Sequence, residues 1–105
     1  MQTESAIFRA LGDPSRLAIF ESLATGAAPV KELTARFRIS QPAVSQHLAA
    51  LRKAGLVTVR QDGRLSFYRV NADGLKPLVD WLAHYRDFWP ERVHRLEDLL
   101  HRMDP

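Results

Sequence analysis

Two adjoining segments, SQPAVSQHLAALRKAGLV (residues 40–57) and TVRQDGRLSFYRV (residues 58–70), decide how this chain is read. Ser40 is a side-chain acceptor placed to cap a helix, and Pro42 lies in the first turn, where a missing N–H costs nothing. The spacing predicts a helix from Gln41 to Ala54, with Val44, Leu48 and Leu51 facing inward and Gly55 as its C-terminal stop. Val57 and Val59 then alternate with polar residues, and Ser66, Tyr68 and Val70 alternate back. Asp62-Gly63 between them reads as a type I′ hairpin turn. A capped helix followed by a two-stranded ribbon with a basic tip is the pattern of a winged helix-turn-helix facing duplex DNA.

The outer face of the 41–54 helix supports that reading. Gln41, Ala43, Ser45, Gln46 and Ala49 are small, or are amides and hydroxyls, with no carboxylate among them. Glutamine bonds adenine bidentately, serine reaches several base edges, and small apolar groups touch a thymine methyl. Glu32 is the only acid in Gly26–Gln61. From Arg36 to Arg69 there are seven basic residues against one acid, Asp62. That balance of +6 sits in a chain of net charge +3, so the remainder sums to −3. Arg60 and Arg64 flank the hairpin turn, placed to meet phosphates or a narrow minor groove. The bland alternatives are a small-residue helix packing on another protein and an edge strand charged against aggregation.

Upstream, Thr3–Leu11 suggests a first helix with Ile7, Phe8, Ala10 and Leu11 as its apolar face. Asp13 caps a second helix opened by Pro14, with Leu17, Ile19, Phe20 and Leu23 expected on one buried side and Gly26 as its stop. Ala28-Pro29 reads as a break, and Val30–Phe37 as a short third helix with Leu33 and Phe37 on one face. Downstream, apolar residues recur at Leu75, Leu78, Leu82, Tyr85, Trp89, Val93, Leu96, Leu100 and Met103, in steps of three and four. One helix over about 73–102, kinked at Pro90, is expected. At ~29 residues it reaches about 44 Å, longer than the rest of the domain covers. Its excess apolar length calls for a second copy of the chain, with Ile7, Phe8 and Leu11 of the first helix joining the interface.

Composition bounds the remaining classes. One hundred and five residues, 46% apolar and 26% charged, make a single domain spanning 1–105. The fold class expected is mainly α (α+β), about five helices plus a two-stranded β-hairpin wing. With no cysteine, disulfides, thiolate metal sites and cysteine nucleophiles are excluded. No apolar run approaches the roughly 20 residues needed to span a bilayer, and the N-terminus lacks a signal-peptide pattern, so a cytoplasmic protein is expected. Ser45 and His47 point different ways on a helix and form no nucleophile–base pair, and there is no Gly-rich phosphate loop, so no enzyme and no cofactor are expected.

The runs FRALGDPSRLAIFESL and ELTARFRISQPAVSQHLAALRKAGLVTVRQDGRLSFYRV together resemble the ArsR/SmtB family of bacterial repressors across nearly the whole chain. The resemblance implies a homodimer seated on a double-stranded operator overlapping its own promoter. It places base reading on Gln41, Ser45 and Gln46, with Pro42, Ala43 and His47 beside them, and wing contacts on Arg60 and Arg64. Arg52 and Lys53 are added as phosphate contacts. The last third, HYRDFWPERVHRLEDLL, resembles a metal-independent branch of the family. The third helix carries no thiolate pair, and Asp80 and His84 stand four apart where the family's zinc pattern has Asp-x-His. His94, Glu97 and His101 fall on one helix face and remain an alternative zinc site, argued against by Arg92, Arg95 and Arg102 around them. The other functional alternative is a winged-helix module that dimerises and docks on protein without touching DNA. Acids or large apolar groups on the outer face of the 41–54 helix would favour it, and neither is present. No residue pattern designates an inducer.

Overall fold

A computed structural model describes residues 2–85 and Asp98. Five helices and three strands follow in the order α1 (Gln2–Leu11), α2 (Pro14–Ala24), β1 (Ala28–Pro29), α3 (Val30–Arg36), α4 (Gln41–Lys53), β2 (Val57–Asp62), β3 (Leu65–Val70) and α5 (Lys76–Ala83), with a 3-10 turn at Ala72–Leu75 before the last. The expected course of the final helix through Pro90 to about residue 102 lies outside the described residues, and so do Trp89, Val93, Leu96, Leu100, His94, Glu97 and His101.

Local chemistry sets the helix ends. The Asp13 carboxylate accepts the Arg16 backbone N–H at 3.0 Å and caps α2. The Ser40 hydroxyl accepts the Ala43 N–H at 3.2 Å and caps α4. Past Ala54, Gly55 donates to the Arg52 carbonyl and Leu56 to the Leu51 carbonyl, the paired bonds of a Schellman motif with Gly55 at φ +79°. The motif turns Leu56 back into the core beside Leu51 and aims the chain into β2.

The core gathers Ile7 and Ala10 of α1, Ile19, Phe20 and Leu23 of α2, Ala28, Leu33, Val44, Leu48 and Leu51 of α4, Leu56 and Val57, with no buried polar or charged side chain among the described residues. Two sequence expectations change here. Leu17, expected inside, is 37% exposed. At ~100° per residue, Ile19, Phe20 and Leu23 fall within one arc of α2 and Leu17 falls outside it. Ile7, expected at an interface, is 1% exposed and belongs wholly to the domain's own core. Leu11 and Leu78, also expected there, are half-buried against the same core.

The sheet also departs from expectation. Ala28-Pro29, read as a break, pairs antiparallel with β3 through Ala28↔Tyr68 and Pro29↔Phe67, giving a three-stranded order β1-β3-β2. Proline is tolerated because the strand is an edge and needs no second donor. Strands β2 and β3 pair from Val57↔Val70 through Val59↔Tyr68 to Asp62↔Leu65, which leaves Gly63-Arg64 as the two-residue loop. Gly63 has φ +64° and among the described residues no other residue type has positive φ, so the loop follows the II′ pattern rather than I′. A I′ turn would force a non-glycine residue into the left-handed region.

The last helix begins later than expected. Asn71 donates its backbone N–H to the Leu56 carbonyl at 2.8 Å and its side-chain amide to the Gly55 carbonyl at 2.9 Å. The 3-10 turn then passes so close to the α4 stop that a Cβ on Gly74 would lie 1.9 Å from the Gly55 oxygen. Pro77, without an N–H, stands in the first turn of α5. After Ala83, His84 and Tyr85 donate back three residues, to Trp81 and Leu82.

Candidate nucleic-acid interface

Helix α4 is seated through Val44, Leu48 and Leu51, and each of its residues expected to meet DNA lies on its remaining surface. Gln41, Pro42, Ser45, Gln46, Arg52 and Lys53 are exposed, and Ala43 is half-buried. Gln46 and Lys53 lie seven positions apart and so share a line along the helix, opposite the buried residues. Gln41, Ser45 and Arg52 flank them on one side. Acid is absent from the whole helix. The one carboxylate upstream in Gly26–Gln61, Glu32, is paired with Arg36 at 2.7 Å, and Arg36 also donates to the Ser22 hydroxyl at 2.8 Å.

His47 sits differently from its neighbours. It is half-buried, and its Nδ1 accepts from the Arg16 Nε at 3.4 Å, a long bond. Arg16 also donates to the Ala10 carbonyl at 3.4 Å, so one side chain touches α1, α2 and α4. The Arg16 N–H donated to Asp13 holds that carboxyl below the usual aspartate range, with the nearby His47 and Arg16 side chains adding smaller electrostatic pulls. Sequence reasoning assigned Arg16 no role. Its only signal was its place inside the LGDPSR run.

On the ribbon, strand alternation puts Thr58, Arg60 and Asp62 of β2 on the same face as Leu65, Phe67 and Arg69 of β3, away from the face carrying Val57, Val59, Tyr68 and Val70 to the core. Arg60 and Arg64 are both exposed, Arg64 in the loop itself. Arg69 donates to the Thr58 hydroxyl at 3.3 Å, and Arg60, Asp62, Phe67 and Arg69 line a shallow cavity of about 240 Å³ with Ala27. Near the tip on the opposite face, the Ser66 hydroxyl donates to the Gln61 side-chain oxygen. Arg69 and Thr58 were missed because the alternation was read for its buried partners alone.

The remaining surface feature is apolar. On α5, Val79 is 60% and Leu82 54% exposed, with Tyr85 exposed beyond them. Phe8 of α1, 45% exposed, stands edge-on to Trp81 with ring centroids 5.1 Å apart, and Trp81 lies 4.7 Å from Tyr85. Asp80 and His84 are both exposed on this segment, and among the described residues no three His, Asp or Glu side chains gather as a metal site. No described helix is long and apolar enough to cross a membrane.

A capped helix that offers amides, a hydroxyl and cations to solvent, braced by two helices and followed by a basic ribbon, defines a winged helix-turn-helix DNA-binding transcriptional regulator. Residues 13–59 match the model of the arsR family of bacterial regulatory proteins. The biofilm growth-associated repressor of Agrobacterium fabrum is 41% identical over 81 residues, 76% of this chain and 69% of that protein. An ArsR-like transcriptional regulator from Rhodococcus superposes with TM-score 0.76 at 26% identity, covering 93% of this chain and 92% of its own. The homodimeric winged helix-turn-helix DNA-binding domain of a possible ArsR-family regulator from Mycobacterium bovis superposes with TM-score 0.67 at 28% identity, covering 80% and 81%. The chain belongs to the ArsR family. It is a sequence-specific DNA-binding transcriptional regulator, and its work is binding rather than catalysis.

Proposed function

We propose that the protein is a homodimeric repressor, cytoplasmic and held on the nucleoid when bound, that closes an imperfectly palindromic operator near its own promoter. The observation that carries this reading is the outer face of α4, exposed and free of carboxylates on a helix capped at both ends. Gln41, Ser45 and Gln46 read base edges in the major groove, with Pro42, Ala43 and His47 alongside. Arg52, Lys53, Arg60 and Arg64 neutralise phosphates. The recognition helix is 41–53 and the wing 57–70, within a single domain over 1–105.

Phe8, Leu82 and Tyr85 form the described part of the dimer surface, continued by Trp89, Val93, Leu96 and Leu100 beyond it. Support comes from the exposed apolar face of α5 and from the homodimer recorded for the Mycobacterium bovis relative. Two recognition helices related by a two-fold axis set half-sites about 34–36 Å apart or a multiple of that. Titrating the protein against the duplex upstream of its own gene and against a scrambled duplex, at two salt concentrations, tests the reading. Cognate binding that outlasts scrambled binding as salt rises is expected; equal loss of both overturns base reading by α4 at that site.

A further inference from the structure

Three cations share one cavity whose lining holds no carboxylate. Ala6, Arg9 and Ala10 of α1, Arg16 of α2, and Ala50, Lys53 and Ala54 at the end of α4 line a cavity of about 290 Å³. The charged side chains of its lining are all positive, and the other lining residues are alanines. The contrast is the cavity on the wing, where Asp62 stands among Arg60 and Arg69 and offsets their charge. Arg16 is half-buried and donates to the Ala10 carbonyl and to His47 Nδ1, bonds that orient its guanidinium without pairing its charge; the Asp13 carboxylate nearby acts on it electrostatically but forms no ion pair with it. Asp13 accepts the Arg16 backbone N–H rather than its guanidinium. Arg36 pairs with Glu32 on another helix, outside this cavity.

A partly desolvated guanidinium flanked by two further cations favours an anionic group strongly, because charge-assisted bonds strengthen as water is excluded. We propose that this cavity binds a phosphate or carboxylate group, with Arg16 as the fixed donor and Arg9 and Lys53 closing from α1 and α4. The alanines of the lining accommodate a short apolar body attached to the anion. Two sources share that chemistry: a backbone phosphate of the operator, and a small free organic anion. Lys53 ends the recognition helix and Arg9 belongs to the helix that carries Phe8, so occupancy ties α4 to the apolar face of α1 in either case. The site goes beyond the base-reading assignment and stands without it.

The test follows the alanine methyl signals of Ala6, Ala10, Ala50 and Ala54 in the full chain, without DNA. Inorganic phosphate and, separately, benzoate are added at ionic strength held constant with chloride. Saturating shifts are expected, weakened at least fivefold in the double variant R9Q/K53Q, whose two positions are exposed and leave the core intact. The second arm measures the salt dependence of duplex binding. If the operator fills the cavity, the single variant R9Q, which leaves the Lys53 phosphate contact in place, lowers the slope of log affinity against log salt by about 1. If a free anion fills it, the slope holds and the methyl shifts persist in the protein–DNA complex. Shifts that never saturate, together with an unchanged slope, overturn the proposal. Because the methyl arm contains no DNA, its outcome is separate from whether α4 reads bases.

Discussion

Helix α4 and helix α5 are built on opposite plans. The first has side-chain and backbone caps at its two ends and three residues sunk in the core, so the chain alone decides where it lies. The second buries no residue fully; Leu78, with Leu75 of the preceding turn, leans on the core while Val79, Leu82 and, just past its end, Tyr85 face outward. One helix must present hydrogen-bonding groups in a fixed register, since a base edge discriminates only against a donor that does not move. The other holds apolar surface exposed among the described residues. The lesson is a division of labour. Rigidity is supplied within the protomer, and on the function proposed above assembly is left to the exposed apolar face.

That contrast gives measurable differences. The largest is expected for Leu48→Ala, which empties a fully buried site under α4 and costs roughly 2–5 kcal/mol of folding stability, read by urea or thermal unfolding. Leu82→Ala on α5 is the matching control: roughly 0.5 kcal/mol or less on protomer folding, because the side chain is exposed. Its effect is expected instead in sedimentation, as a shift toward monomer at micromolar protein. A Leu82→Ala protein as unstable as Leu48→Ala would erase the distinction between the two helices.

Gly74→Ala probes the joint between them. The new methyl meets the Gly55 carbonyl, so the 3-10 turn must move away from the α4 stop, at a cost of about 1–3 kcal/mol. Unfolding that matches the parent would show that the joint gives freely. On the DNA side, Gln46→Ala is expected to lose about 1–3 kcal/mol on the cognate duplex alone. Arg60→Ala with Arg64→Ala should weaken all duplexes alike and flatten the salt dependence. Equal losses on cognate and scrambled DNA from both changes would break the split between base reading and phosphate contact.

The smallest expected effect belongs to Asp13. Its carboxyl titrates below the ordinary aspartate range because the Arg16 N–H binds the charged form. A depressed folded-state pKa adds stability above the unfolded value, and that stability is lost as pH falls through the folded value. Asp13→Asn keeps an acceptor for the cap without the charge. Parent and variant should therefore differ at neutral pH and converge in acid, with unfolding midpoints across the acidic range as the measurement.

Much of this was legible in the residues. Ser40, Asp13 and Gly55 end or begin helices through bonds that span three to five positions, so their geometry is written within a few neighbours. The burial of Val44, Leu48 and Leu51 follows from a period, and so does the face of the ribbon carrying Val57, Val59, Tyr68 and Val70. What only the tertiary structure decided joins residues with no local period between them. The pairing of Ala28 with Tyr68 turns an apparent break into a strand, because a two-residue edge is defined by its partner forty positions on. Arg16 reaches His47 across thirty-one positions, and Gly74 owes its identity to a carbonyl on another element. The apolar face of α1 divides for the same reason. Ile7 goes to the protomer's own core and Phe8 to Trp81 because two helices pack on different sides of one turn, a distinction that helical spacing alone does not contain.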